Sequence, residues 1–323
     1  MAEPGADEVG IEILRLEDFP ARQVAEREEK EPVRSEDRVE LQELHGDGSE
    51  TEYVAQGIGT QGSGFIPRTI QNHLDMASYG SYDALVKNFY TIDGGTMAGS
   101  DLLNTEKLTS YNCTMQKSDA PQILIYHTHS REAFVDSVPG DESTTIVGMG
   151  ALLADKLCNE YGYHVVHCKE AFDADGRNDA YTNALPLVSR ILEKYPSIEM
   201  VIDLHRDEMP EGTRLVTEVD GIPMARFMLF NGISRTRQTG KISYLENPNL
   251  DANLSFSFQV QRKAMEYYPG LTRKIYLKGY RYNMHLKEKY LLIELGAQNN
   301  TVAEVQNTCG PIAHILDMVL TGQ

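Results

Sequence analysis

From residue 119 onward, apolar positions follow two alternating rhythms. Short, nearly continuous apolar runs read as strands: PQILIYHTH (121–129), YHVVHC (163–168) and IEMVIDLHRDE (198–208). TRLVTEV (213–219), IPMARFMLFNG (222–232) and KYLLIELGAQ (289–298) read as further strands. Between them, apolar residues fall at helical spacing over 144–162, which ends in Gly162 as a C-cap, and over 182–197, with a proline near each end. Residues 254–270 and 300–322 give two more helices. Strands alternating with helices predict an α/β fold, with a parallel or mixed sheet covered on both faces. In such sheets ligands sit at the carboxyl ends of the strands.

The segment before this region differs. Residues 63–118 contain YDALVKNFYTID, aromatic and aliphatic at mixed spacing, and are expected to form helices leading into the domain that spans 119–323. Residues 1–62 are charged and then glycine-rich, the composition of a disordered or weakly helical spacer. Of the net charge of −18, residues 1–52 carry −11, from 17 acidic and 6 basic residues. Basic patches of the kind nucleic-acid binding needs are absent. The four cysteines, Cys113, Cys158, Cys168 and Cys309, form no C-x-x-C pair and no disulfide framework, and Cys158 reads as a small buried hydrophobe. No run of eighteen apolar residues marks a membrane span.

Strand ends that carry ionisable groups change the picture. PQILIYHTHSREAF runs from a strand into His127, His129 and Glu132, VIDLHRDE brings Asp203 and His205, and YLLIEL carries Glu294 near its end. Catalytic zinc takes three protein ligands and leaves one position open, and His2Glu is one such set. His129 and Glu132, in H-x-x-E spacing, with His205 from a neighbouring strand, supply that set. Asp203, two residues before His205, shares its strand face and suits an orienting role. Glu294 is left as the general base. A lone H-x-x-E is a common chance pattern, and a histidine at a strand end is more often a hydrogen-bonded rim residue. It is the convergence of three strand ends that points to one site. His127, two residues before His129, is a rival ligand, and Glu142, just before a helix, rivals Glu132. Arg206 helps an oxyanion only if the chain turns there, and otherwise reads as a surface salt-bridge partner. Asn283 and His285 in RYNMHL offer substrate-side polar groups, and Asn253 is a weaker candidate.

PQILIYHTHSREAF, VIDLHRDE, YPGL, RYNMHL and LLIELGAQNNTVAE together resemble the stage II sporulation protein P family over roughly residues 84–320. The resemblance implies a three-layer α/β/α fold with a mixed, mostly parallel central sheet, similar to zinc amidases and zinc carboxypeptidases. It implies a Zn2+-dependent peptidoglycan hydrolase of endospore-forming bacteria, acting in engulfment. The implied reaction cleaves the lactyl amide between N-acetylmuramic acid and L-alanine, with stem-peptide endopeptidase activity also attributed to the family. It further implies an extracytoplasmic site between mother cell and forespore membranes, a membrane anchor in the full-length protein that this chain lacks, the lytic transglycosylase stage II sporulation protein D as partner, and a membrane scaffold. Two other functions fit the same fold. A carboxypeptidase-like peptidase needs a cation for a terminal carboxylate, with Arg131, Arg177 or Arg206 available. A non-catalytic wall-binding module would lack a ligand or base, yet every position is filled.

Overall fold

Ile123, Leu124, Ile125 and Tyr126 are all fully buried, which a strand permits only when both faces of its sheet are covered. A computed structural model describes residues 11–14 and 65–323, except position 175. Apart from 11–14, the acidic segment lies outside the described residues. The strands are β1 (Ile11–Leu14), β2 (Tyr90–Ile92), β3 (Ile123–Tyr126), β4 (Val165–Cys168), β5 (Met200–Asp207), β6 (Val216–Val219), β7 (Ile222–Ala225), β8 (Phe227–Gly232), β9 (Arg235–Thr236), β10 (Gly240–Lys241), β11 (Ile275–Lys278) and β12 (Lys289–Ala297). The helices are α1 (Tyr82–Phe89), α2 (Thr105–Ser110), α3 (Ile146–Asn159), α4 (Ala180–Lys194), α5 (Leu250–Tyr267) and α6 (Val302–Thr321).

Eight strands form one sheet in the order β1-β4-β3-β5-β12-β8-β11-β2. All neighbours are parallel except β12 and β8, so the sheet is mixed and mostly parallel. Alternation along β3 divides the core. Ile123 and Ile125 join the cluster that contains the apolar faces of α3, α5 and α6, while Leu124 and Tyr126 pack with Leu187, Val188 and Ile191 of α4. Helices therefore cover both faces, giving three layers.

The run 222–232, expected as one strand, is two. β7 pairs with β6 in a hairpin, Arg226 N–H turns away to the Leu215 carbonyl, and β8 then enters the main sheet. The segment 63–118 holds α1 and α2, and it also supplies β2, an edge strand of the same sheet. The strand Ile11–Leu14 pairs with β4 at the opposite edge. Among the described residues, no helix is long and apolar enough to cross a membrane.

Candidate active site

The two central strands bring the first pair together. In the parallel register of β5 and β12, Glu294 stands beside His205 and Leu292 beside Asp203. Side chains two apart on a strand share a face, so Asp203, His205 and Glu294 all point to the α4 side. His205 and Glu294 lie within β5 and β12, toward their carboxyl ends. β5 continues because the N–H of Arg206 finds an acceptor in the Glu132 carboxylate, 2.8 Å away. In β12 the register shifts between Glu294 and Ala297.

The second pair arrives on a turn. The chain leaves β3 after Tyr126, and the backbone N–H and hydroxyl of Thr128 donate to the two oxygens of Asp203, at 2.9 and 2.7 Å. That anchor carries His129 to His205, with ring centroids 5.3 Å apart. Glu132, only 2% exposed, places one oxygen 3.7 Å from His205 Nδ1, while Asp203 lies 2.7 Å from His205 Nε2. The other Glu132 oxygen accepts from Arg177 at 2.9 Å. Tyr181, in the first turn of α4, closes the site with its ring 5.9 Å from His129 and 6.4 Å from His205. Glu142 is not among these groups; its carboxylate pairs with Lys169 at 2.7 Å and is 46% exposed.

Burial and neighbouring charges set the protonation states. Burial, helped by the positive charges of His205 and Arg177, pushes His129 down to about 3, so its ring is neutral. Burial also opposes a charge on His205, but the carboxylates of Asp203, Glu132 and Glu294 outweigh it and raise its pKa to about 9. Asp203 is likewise opposed by burial, yet His205 and the Thr128 donors hold it below the usual carboxylate range. Glu294 is raised well above that range by burial, despite the opposing pull of His205. Its Oε2 and the Nδ1 of His129 are buried with no hydrogen-bond partner. Among the described residues, no three His, Cys, Asp or Glu side chains stand together as a ready cation cage; both oxygens of Glu132 are held by the arginines.

Other sequence candidates are placed elsewhere or act indirectly. His127 points to the opposite face of the sheet from His129, because the chain turns after Tyr126 and no longer alternates as a strand. There its Nε2 meets His167 Nε2 at 2.9 Å. The Arg206 guanidinium donates to the carbonyls of Ala133 and Asp207 and so fastens the Glu132 turn to β5. Asn283 donates to the Tyr181 carbonyl at 2.9 Å, and the Tyr282 ring packs edge-on against Tyr181 at 5.1 Å. The RYNMHL loop thus supports the wall of the site. His285 accepts from Asn249 through its carbonyl, and burial lowers its ring pKa to about 4. Asn253 is fully buried, donating to the carbonyls of Lys287 and Glu288.

Two groups have no motif in the sequence. Asp173 accepts from Ser130 at 3.0 Å and lies 3.9 Å from His129 Nδ1, and Tyr181 packs on both histidines. The carboxyl-end rule, extended to β4, points to the Asp173 loop; Tyr181 carries no such signal.

An imidazole–carboxylate cluster beneath the carboxyl ends of a mostly parallel sheet defines an α/β protein with a candidate acid–base and cation site. The chain belongs to the stage II sporulation protein P family, whose model matches residues 17–317. It is 22% identical over 241 residues to the Stage II sporulation protein P of Bacillus subtilis (strain 168), an alignment covering 67% of this chain and 57% of that protein. Among solved structures it is similar to the catalytic domain of the CD27L endolysin targeting Clostridia difficile, at 13% identity over 63% of this chain and 98% of that one, TM-score 0.39. It is also similar to the CwlD amidase of Clostridioides difficile in complex with the GerS lipoprotein, at 12% identity, with 62% and 94% covered and a TM-score of 0.36. A third is the N-acetylmuramoyl-L-alanine amidase AmiC2 of Nostoc punctiforme, at 11% identity, with 62% and 96% covered and a TM-score of 0.35.

Proposed function

We propose that this protein is a zinc-dependent peptidoglycan hydrolase of sporulation that cleaves the amide between N-acetylmuramic acid and L-alanine. The observation that carries this reading is the convergence of His129 and Glu132, from the turn after β3, with His205 and Glu294, from β5 and β12, in a family named for sporulation. The residues fit a divalent ion that favours nitrogen and oxygen donors. His129 is neutral and has an unpartnered ring nitrogen. His205 turns Nδ1 toward Glu132 while Asp203 faces Nε2, the carboxylate–histidine arrangement that orients metal ligands. His129, Glu132 and His205 would hold the ion, with the Arg177 ion pair on Glu132 giving way to it.

When bound, zinc polarises a carbonyl and makes water acidic enough to ionise near neutral pH. Glu294 takes the proton of the attacking water and passes it to the leaving L-alanine nitrogen. Burial raises its pKa, which makes the ionised carboxylate a stronger acceptor of that proton. Asp203 and Thr128 fix the His205 ring and the His129 turn, and Tyr181 with Tyr282 shields the cluster from bulk water. Of the cations a carboxypeptidase reading offers, Arg177 is paired with Glu132, and Arg206 is tied to two carbonyls. An extracytoplasmic location and a lytic transglycosylase partner follow from the family as parts of the same proposal.

The test is digestion of purified sacculi by the zinc-loaded protein. Amidase action frees L-alanine amino termini without new reducing sugar ends. Release of single carboxy-terminal residues from free peptides would assign the site to the carboxypeptidase reading, and no products with full zinc loading would favour a binding module.

A further inference from the structure

On the face of the sheet away from the cluster, two buried histidines form a closed pair. His127 is fully buried and His167, in β4, is 1% exposed. His127 Nδ1 lies 2.8 Å from the carbonyl oxygen of Leu204, and its Nε2 lies 2.9 Å from His167 Nε2. A carbonyl can only accept, so Nδ1 carries the proton. Nε2 of the neutral ring is then an acceptor, and His167 donates to it. Both rings fit under α3 because position 150 is glycine: a Cβ there would fall 2.5 Å from His127 Nε2 and 2.8 Å from His167 Nε2.

The position of that bond in the chain gives it a role. His127 is two residues before His129, and Leu204 is the residue before His205. β3 ends at Tyr126, so no strand pairing continues across this gap. Thr128 ties the turn to Asp203 on one face of the sheet, and His127 ties it to β5 from the other. We propose that His127 is a positioning residue, whose Nδ1–H bond to the Leu204 carbonyl sets the spacing between the backbone that carries His129 and the backbone that carries His205. The Leu204 carbonyl fixes its tautomer, His167 donates to the free Nε2, and Gly150 makes room for the pair. The inference rests on the zinc reading only in what the spacing serves.

Two substitutions separate positioning from packing, because the readings rank them in opposite order. His127→Asn keeps a donor at the place of Nδ1 and loses ring volume. His127→Phe keeps the ring volume and loses the donor. Both are to be made in the full chain, with zinc affinity measured by competition with a chromophoric chelator. Amide hydrogen exchange of residues 127–132 and 203–206 is to be followed in metal-free protein. Positioning predicts that His127→Asn binds zinc within a fewfold of wild type, and that His127→Phe binds roughly ten- to hundredfold more weakly, the usual cost of losing an outer support of a metal ligand. Exchange in the two segments should be faster in His127→Phe than in His127→Asn. The proposal is overturned if the Phe variant matches or exceeds the Asn variant in both measurements, since ring packing alone would then explain the pair. If wild-type protein takes up no zinc, the zinc reading fails, and the exchange data alone decide whether the clamp exists.

Discussion

Glu294 and His205 occupy the same level of two adjacent parallel strands, and both turn toward α4. The proposed proton acceptor and a proposed ligand are therefore fixed relative to each other by backbone hydrogen bonds, without help from a loop. Substitutions at the two positions should fail in different ways. Glu294→Gln keeps the side-chain volume and removes the acceptor, so zinc content should stay at wild-type level while turnover falls by roughly 10²–10⁴-fold. His205→Ala should lose zinc and activity together. Metal analysis run beside muropeptide release reads both; loss of zinc in Glu294→Gln would make Glu294 a ligand.

Placement distinguishes the two candidate carboxylate ligands of the proposed ion. Glu132 is buried against His205, and Glu142 is half exposed on Lys169. Glu132→Ala should abolish stoichiometric zinc binding, whereas Glu142→Ala should leave it intact and change stability by no more than about 1 kcal/mol, the usual scale of an exposed ion pair. The reverse pattern in equilibrium dialysis would transfer the role to Glu142.

How much of this was legible in the sequence depended on whether a residue's partner lay on a neighbouring strand or on a turn. Asp203, His205 and Glu294 were readable because strand alternation fixes their face. The two-residue spacing of His127 and His129 suggests a shared strand face, because the apolar run gives no sign that β3 stops at Tyr126. Position 226, where one apolar run becomes two strands, was hidden for the same reason: local hydrophobicity does not record where a backbone N–H changes partner. Asp173 and Tyr181 reach the site through loop and helix placement, which no spacing within their own segments encodes.

Zinc binding should be coupled to proton release. In metal-free protein His205 holds its extra proton up to about pH 9, and a ring nitrogen must lose its proton before it can ligate. Apparent affinity should therefore climb with pH toward 9, by at most about tenfold per unit from this group, and level off above. Titration calorimetry in buffers of different ionisation enthalpy counts the protons released. Affinity that is flat between pH 6 and 9 would remove His205 from the ligand set.

Metal-free protein should lose stability in mild acid. His127, His129 and His167 all have depressed folded-state pKa values, chiefly through burial. Above about pH 6.5 they are neutral folded or unfolded and contribute no pH dependence; below it the unfolded chain gains protons that the folded one refuses. Each then costs up to about 1.4 kcal/mol per pH unit. His205 has the opposite sign: its contribution is complete below about pH 6.5 and is lost as pH rises through about 9. Glu294, raised by burial, has the same sign as His205, and His285, lowered by burial, the same sign as the other three; four depressed histidines against two raised groups predict a lower melting temperature at pH 5 than at pH 7. Equal melting temperatures would mean that the four histidines are not held neutral.

The position of β12 between β5 and β8 has a consequence for how the protein acquires its chemistry. His129 and Glu132 are close in the chain, but His205 enters some seventy residues later and Glu294 nearly ninety after that. Contacts so distant in sequence form late and together, after the loops between them have closed. A chain whose last strand has not yet been inserted lacks Glu294 beside His205. On the proposed reading, the site is therefore assembled only when the middle of the sheet is complete.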